Sequence, residues 1–432
     1  MQLSTWGHQM SRPSGIRSLM EDIATTAGSS GDGTGANLSV GNPSPIPEVL
    51  ETWQRLSAAA LATDFPESGG HYGPSRGTHS LVDAVVRYFN AAYGWSIGPE
   101  NVVVGPGSQM LCFVATTLFT GPTGPTGPAG SGHRPLVLPC VPDYTGYQGL
   151  NLVGSATVGV GATVVPHGER SFRYALDADA LQQVPDMGMM LVSSPGNPTG
   201  RSLTAAELDT LIDTVERHDA LLVVDHAYGR PFPMLTGDAL DPVHHPRVIN
   251  CFTLSKAGLP GERIAFAIGP ADAVSAMVSF MANTVLHAPQ TIQAVVERAL
   301  DSGELDVLTQ KVISPYYRDK RQAAEALLHS LLPDDVDWRL HEGDGGMFCW
   351  LWIDHEWFDD LDFYRLLKEE GVFIVPGRHF FGTAGVPGLP GHATRCFRLS
   401  LSGELPDLER GFKRIGALLT LLRDRSHEAD PV

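Results

Sequence analysis

The sequence is short of positive charge. Among 432 residues, 30 are Lys or Arg and 48 are Asp or Glu, a formal net charge of −18. A nucleic-acid binder needs a basic surface to displace counterions from phosphates, and the acidic balance argues against one. No block of like charge is long enough to supply a local patch. Long apolar runs are missing as well, so no stretch reads as a membrane span. The N-terminal MQLSTWGHQMSRPSG is too polar for a signal peptide. Cysteine is scarce. Cys112, Cys140, Cys251, Cys349 and Cys396 are scattered and form no CxxC, which argues against a disulfide framework or a zinc knuckle. They read as buried free thiols. His244-His245 has no third ligand at a sensible spacing and reads as a solvated loop. These absences point to a cytoplasmic protein that binds neither nucleic acid nor membrane.

What is present is a globular composition, 43% hydrophobic. The length exceeds what one core usually serves, which predicts two domains. Helical periodicity runs over residues 48–62 and 80–93. Strands and helices then alternate. Residues 101–104, 135–138, 162–165, 189–193, 221–225, 248–253 and 264–268 read as strands. Residues 108–119 and 204–218 read as helices. Thr204 with Glu207 three positions on is a capping-box signal. Continuous Val/Ile/Leu runs suit strands buried on both faces. The alternation predicts an α/β fold, a mostly parallel sheet between helices. After residue 270 come helices at 273–283 and 290–301 and a mainly helical stretch at 305–332. Strands at 338–341, 347–353, 372–375 and 396–401 with helices at 361–370 and 407–423 predict a smaller α+β unit. The Met/Phe/Trp cluster 347–352 is read as a core strand. The Gly/Ser-rich 27–36 and the collagen-like GPTGPTGPAG at 121–130 read as loops.

Five segments follow strands and carry polar chemistry. Gly107-Ser108-Gln109 opens a helix, where backbone N–H groups bind anions and Gly allows close approach. Pro142-Asp143-Tyr144 puts an aromatic after a strand. Ser193-Ser194-Pro195-Gly196-Asn197-Pro198-Thr199-Gly200 follows another. Val224-Asp225-His226-Ala227-Tyr228 sets an acid at a strand's carboxyl end, where ligands of open α/β sheets bind. His226, its neighbour, points to the opposite face and reads as packing. Thr253-Leu254-Ser255-Lys256 leads to Arg263, and a Lys leaving an apolar strand is unusual unless functional.

Taken in order, NPTG, then Asp225-x-Ala227-Tyr228, then Ser255-Lys256 with Arg263 seven positions on, the chain resembles the fold-type-I pyridoxal-phosphate aminotransferases. Arg398 in Cys396-Phe397-Arg398-Leu399-Ser400 fits the late arginine expected in such chains. Further stretches look like the valine–pyruvate aminotransferases. These are Ser11-Arg12-Pro13-Ser14-Gly15-Ile16 with Leu19-Met20-Glu21-Asp22, Gly41-Asn42-Pro43, Asp225 through Pro233, and Val375-Pro376-Gly377 with Phe380-Phe381. The Gly-rich 342–346 departs from the family pattern at positions that border the substrate there.

The resemblance implies a large domain with a seven-stranded, mostly parallel sheet at 49–315. A small α+β domain would occupy 316–432, with 1–48 packing on it and on the active site. It implies pyridoxal 5′-phosphate on Lys256, whose amine would be desolvated and lowered in pKa and would carry the proton from substrate Cα to C4′. Asp225 would hold the protonated ring nitrogen. Tyr228 and Asn197 would bond the ring 3′-oxygen, and Tyr144 would stack on the ring. Arg263, Ser255, Thr253 and the backbone of Gly107, Ser108 and Gln109 would take the phosphate. Tyr72 would reach it across a homodimer interface. Arg398 would fork onto the substrate carboxylate, and Gly41 and Asn42 would line the substrate side. The implied reaction is ping-pong transamination of a small aliphatic amino acid through pyridoxamine phosphate, with alanine or valine against pyruvate or 2-oxoisovalerate. The same scaffold also hosts elimination, replacement and C–C bond formation, for example on S-adenosylmethionine, and the altered 342–346 segment leaves that open. A non-catalytic regulator would need a DNA-binding surface for which the chain has no basic stripe.

Overall fold

The computed structural model describes residues 2–11, 16, 19, 21–23, 25, 35–122, 133–150, 157–235, 239–382 and 384–429. Most of the Gly/Ser-rich stretch (27–34) and of the collagen-like stretch (123–130) lies outside that set. So do residues 12–15, 17, 18 and 20 of the N-terminal motif.

Seven strands form the main sheet: β1 (Val102–Gly105), β2 (Leu136–Val141), β3 (Val158–Gly161), β4 (Met189–Ser193), β5 (Leu221–Asp225), β6 (Val248–Thr253) and β7 (Ala265–Ile268). Their spatial order is β1-β7-β6-β5-β4-β2-β3. Only β7 is antiparallel to its neighbours. Successive side chains of a strand leave opposite faces, and both faces here are covered. Val103, Ile249 and Ala267 join one apolar cluster with the helices Ser108–Phe119 and Ala271–Thr284. Val104, Phe252 and Phe266 join another with the helices Pro47–Thr63, His79–Tyr93 and Gln290–Asp301. The fold-type-I reading of the sequence agrees with this architecture.

A second sheet has six strands, ordered 375–376, 396–400, 348–353, 338–341, 171–175 and 163–166. Here the sequence reading needs correction. It places residues 162–165 beside the other strands of the first sheet. The strand of that sheet is 158–161, Val-Gly-Val-Gly, an edge strand too poor in apolar side chains to stand out. Thr163–Pro166 instead hairpins onto Ser171–Ala175, whose Ser171 and Phe172 pair with Leu340 and His341. Membership of the two sheets therefore does not follow a single cut at 315/316. The expected strand 372–375 is also two strands. Val372–Phe373 pairs with Ala36–Asn37, and Val375–Pro376 pairs with Arg398 and Phe397 of the strand Cys396–Ser400.

The stretch read as one helix over 305–332 begins at Glu304–Val307, widens to a π-helical turn at Leu308–Ile313 and continues as Ser314–Leu331. Pro315 lacks the N–H that a regular turn there would use. The capping box at Thr204 is formed, with Glu207 N donating to Thr204 Oγ1 at 3.2 Å and Thr204 N to Glu207 Oε2 at 2.9 Å. Such a cap is worth about 1 kcal/mol. Glu207 also takes Arg201 and the Leu176 N–H, which ties the loop after β4 to the second sheet.

Candidate active site

β1, β2, β4, β5 and β6 run the same way, so their carboxyl ends gather at one edge of the sheet. β7 runs the other way, and Arg263, just before it, arrives at the same edge. A cavity of about 880 Å³ opens there. Its lining includes Gly41, Asn42, Ser108, Gln109, Tyr144, Asn197, Asp225, Tyr228, Thr253, Ser255, Lys256, Arg263 and Arg398. Thirteen of the fifteen residues given a role in the sequence thus meet in one place. Gly107 lies just behind them, capping the helix Ser108–Phe119.

One end of the cavity is an anion cradle. Gly107 has φ +89°, and a Cβ there would collide with the Arg263 guanidinium. Arg263 itself has φ +53°, a conformation rare for a residue with a side chain and found where function holds it. The Thr253 and Ser255 hydroxyls lie 3.0 Å apart beside it. The Gln109 side chain, given no role in the sequence reading, donates from Nε2 to Gly146 O at 3.1 Å, which braces the loop carrying Tyr144.

Asp225 is buried and accepts from Tyr147 OH at 2.9 Å and Ala227 N at 3.1 Å. Burial pushes its pKa up to about 6, while those two bonds and the Lys256 charge pull it back down. Each carboxylate oxygen keeps a lone pair for a further donor. Tyr144 stands edge-on to Tyr147, ring centroids 5.2 Å apart. His226 packs away from the cavity, stacked on Phe252 at 4.9 Å with Nε2 on Asn250 Oδ1 at 2.9 Å.

Lys256 and Arg398 line the same cavity. Lys256 Nζ donates to Gly41 O at 2.6 Å and lies 5.7 Å over the Tyr228 ring. Burial and the Arg398 charge push its pKa down to about 8, with Asp225 opposing and Arg263 assisting. Arg398 donates to Asn197 Oδ1 at 2.9 Å and Ser39 O at 2.8 Å. Its guanidinium lies 4.0 Å over the Phe348 ring and 5.4 Å from that of Phe380. Its Nε has no hydrogen-bond partner among the described residues, which leaves a buried donor unmet.

Tyr72 is not part of this cavity. It is 87% exposed, in contact with His287 at 6.0 Å, beside a second hollow of about 970 Å³ between the helices Pro47–Thr63 and Gln290–Asp301. The Gly-rich 342–346 segment also departs from expectation. None of it lines the cavity. It packs behind the loop after β4, where Asp344 holds the Ser202 N–H at 2.9 Å and Arg173 at 2.6 Å. Four further residues of the site have no role in the sequence reading: Tyr147, Phe348, Phe380 and Asp143. Asp143 is buried, accepts from Tyr144 N at 2.7 Å and Ser193 N at 3.1 Å, and is pushed up to about 7 by burial. Tyr147 had a readable signal, since it follows Tyr144 by three residues across the short 3₁₀ turn Thr145–Gly149, which returns both rings to one side.

The model of the family described as aminotransferase class I and II matches residues 33–415. The chain belongs to the class I and II aminotransferases. Valine–pyruvate aminotransferase of Escherichia coli (strain K12) is 31% identical over 423 residues, 96% of this chain and 97% of that protein. Among solved structures, a putative amino-acid aminotransferase from Psychrobacter arcticum 273-4 superposes with a TM-score of 0.90 at 30% identity, covering 98% of this chain and 99% of that one. Valine-pyruvate aminotransferase AvtA from Salmonella typhimurium LT2 follows with a TM-score of 0.83 at 28% identity, covering 95% and 100%.

This aminotransferase therefore depends on pyridoxal 5′-phosphate and acts on amino acids and keto acids. The cavity fits that cofactor. It offers an amine for the aldehyde, a buried carboxylate for the ring nitrogen and an aromatic ring to stack. It also offers an anion cradle that a side chain at Gly107 would fill. One prediction concerns loading. A neutral amine attacks an aldehyde and a protonated one does not. With a pKa lowered from 10.5 to about 8, the neutral fraction of Lys256 climbs as pH rises through about 8. The rate at which pyridoxal phosphate combines with cofactor-free aminotransferase, followed by absorbance, should rise with a midpoint near that pH. A midpoint near 10.5 would contradict the environment described here for Lys256.

Proposed function

We propose that this enzyme moves an amino group between a small aliphatic α-amino acid, valine or alanine, and a keto acid, pyruvate or 2-oxoisovalerate, in a ping-pong cycle. The observation that carries the reading is the inventory of charge in the cavity. Its lining cations are Lys256, Arg263 and Arg398. Lys256 is assigned to the amine chemistry and Arg263 to the phosphate. Arg398 alone remains for a carboxylate, so a second carboxylate on the substrate finds no cation among the described lining residues. Met10, Ile16, Tyr144 and Phe380 give the wall apolar surface instead. The similarity to valine–pyruvate aminotransferases supports the same choice.

Bound pyridoxal phosphate supplies the aldehyde that captures the amino group and the ring that takes up the electron pair released at Cα. The chain's residues do the rest. Lys256 would hold the cofactor's aldehyde carbon and, as a free amine, would move the proton between Cα and C4′. Asp225 holds the proton on the ring nitrogen through a charge-assisted bond. Tyr228 and Asn197 would bond the 3′-oxygen, and Tyr144 would stack on the ring. Arg263, Ser255, Thr253 and the Gly107-Ser108-Gln109 backbone take the phosphate. Arg398, its plane fixed by Phe348, receives the substrate carboxylate against the Gly41-Asn42 strap.

The proposal includes a homodimer. Tyr72 is exposed along with Leu61, Phe65 and Leu286, an apolar set that a second copy would cover while bringing its Tyr72 to the phosphate. It also includes a cytoplasmic location, which the five buried free cysteines suit. Among the described residues no helix is long and apolar enough to cross a membrane. The test is a donor panel on the sedimented dimer. kcat/KM for valine and alanine should exceed that for glutamate and aspartate by about 100-fold, the scale set by burying an unpaired charge. Double-reciprocal plots should be parallel. Equal rates with glutamate, or an active monomer, would sink the corresponding part.

A further inference from the structure

Lys320 is buried, with 6% of its surface exposed, on the helix Ser314–Leu331. Among the described residues no ion pair holds it; its amine donates to Tyr316 OH at 2.7 Å and Ser44 Oγ at 3.3 Å and lies 4.8 Å over the Tyr316 ring. Lysine is seldom buried without a carboxylate unless it has a task. The task can be read from what Ser44 does.

Ser44 ends the strap 38–44, which follows the pairing of Ala36–Asn37 with Val372–Phe373 and lines the cavity at Gly41 and Asn42. Ser400 N donates to Leu38 O at 2.7 Å, Arg398 to Ser39 O at 2.8 Å, Lys256 to Gly41 O at 2.6 Å and Ser402 Oγ to Asn42 O at 2.6 Å. Ser44 N donates to Tyr317 OH at 2.7 Å, and Ser44 Oγ to Ser402 O at 3.0 Å. Two of the strap's donors, Lys256 and Arg398, are groups the reaction uses. Whenever those donors turn to cofactor or substrate, the strap loses their hold. Tyr317, Ser402 and Lys320 line no part of the cavity, so neither cofactor nor substrate competes for their bonds.

We propose that Tyr317, Ser402 and Lys320 form an anchor at Ser44 that keeps the Gly41 carbonyl and Asn42 in register with the reacting amine, and that Lys320 is a positioning residue for the reaction. The proposal rests on Lys256 being the reacting amine. The anchor joins the helix Ser314–Leu331, the strap and the segment that follows the strand Cys396–Ser400, and all three converge on Ser44.

Lys320→Met keeps an unbranched side chain one heavy atom shorter and removes its charge and donors. Ser44→Ala removes one hydroxyl. The first readout needs no cofactor: hydrogen–deuterium exchange of the peptide covering 38–46, which should quicken roughly fivefold in each variant, the value of about one hydrogen bond. Exchange over 248–268 should stay as it was. In the loaded enzyme, KM for the amino donor should rise roughly fivefold with kcat per active site within about twofold of wild type. The double variant should resemble the singles, because both cut one anchor. Unchanged strap exchange and unchanged KM would overturn the proposal. So would exchange that quickens evenly over the whole chain with KM unchanged, which is what a merely structural lysine gives. Lys320→Met failing to fold leaves Ser44→Ala to decide by the same two readouts. If Lys256 proves not to carry the cofactor, the site reading fails, and the strap exchange still reports on the anchor alone.

Discussion

Lys256→Ala should lower kcat by about 10⁴-fold or more while the protein stays folded and still takes up cofactor. The substitution removes the covalent handle and the proton carrier together. Positioned proton transfer alone is worth about 10²–10⁴-fold, and loss of the nucleophile adds to it. The structural loss is small, because the hydrogen bond given up is that to Gly41 O. Arg263, Ser255 and the Gly107 turn remain to hold the phosphate. Single-turnover assays with L-valine or L-alanine on equal amounts of folded protein measure the effect. A variant keeping more than about a tenth of the activity would remove Lys256 from the chemistry.

Asp225→Asn should be the next most damaging change, at roughly 10²–10⁴-fold in kcat. The size comes from opening a buried ion pair, about 3–5 kcal/mol, between the carboxylate and a protonated ring nitrogen. The amide fills the same space and can still accept from Tyr147, so folding should be preserved. Tyr147→Phe grades the effect. It removes the 2.9 Å bond to Asp225 Oδ2 and leaves the charge. A hydrogen bond to a charged group is worth about 1.5–3 kcal/mol, which puts this variant at roughly 10- to 100-fold. Steady-state kinetics on the three proteins should therefore rank wild type, Tyr147→Phe and Asp225→Asn in falling order. Asp225→Asn matching wild type would mean that Asp225 does not partner the ring.

These residues differ in how far the sequence alone discloses them. Asp225 and Lys256 are legible because one ends a buried apolar strand and the other follows such a strand by three residues, and a charged residue at such a place contradicts its surroundings. Asn197 and Arg263 were legible through short contiguous strings with fixed spacing. The stacking of Phe348 and Phe380 on Arg398 was not. These rings come from segments separated in sequence and joined only by pairing within the second sheet, which no local pattern specifies. The strand expected at 162–165 falls in the other sheet for the same reason: it pairs with Ser171–Ala175, whose next partner lies about 170 residues on by the pairing of Ser171 with Leu340. The Gly-rich 342–346 was expected at the substrate and instead packs tightly on Thr199 and Gly200, where a Cβ at 343 or 200 would meet backbone. Glycine there serves close approach of two chain segments, a use that looks the same in sequence as a loop bordering a ligand.

The whole account turns on which amine holds the cofactor, and the chain is well suited to asking. It has five lysines, Lys256, Lys311, Lys320, Lys368 and Lys413. Borohydride reduction of the loaded enzyme, followed by proteolysis and mass spectrometry, fixes the cofactor to the amine that carries it. The account predicts the added phosphopyridoxyl mass on Lys256 alone, and its loss when L-valine is supplied before reduction. The mass on any of the other four lysines, or on none, would contradict it.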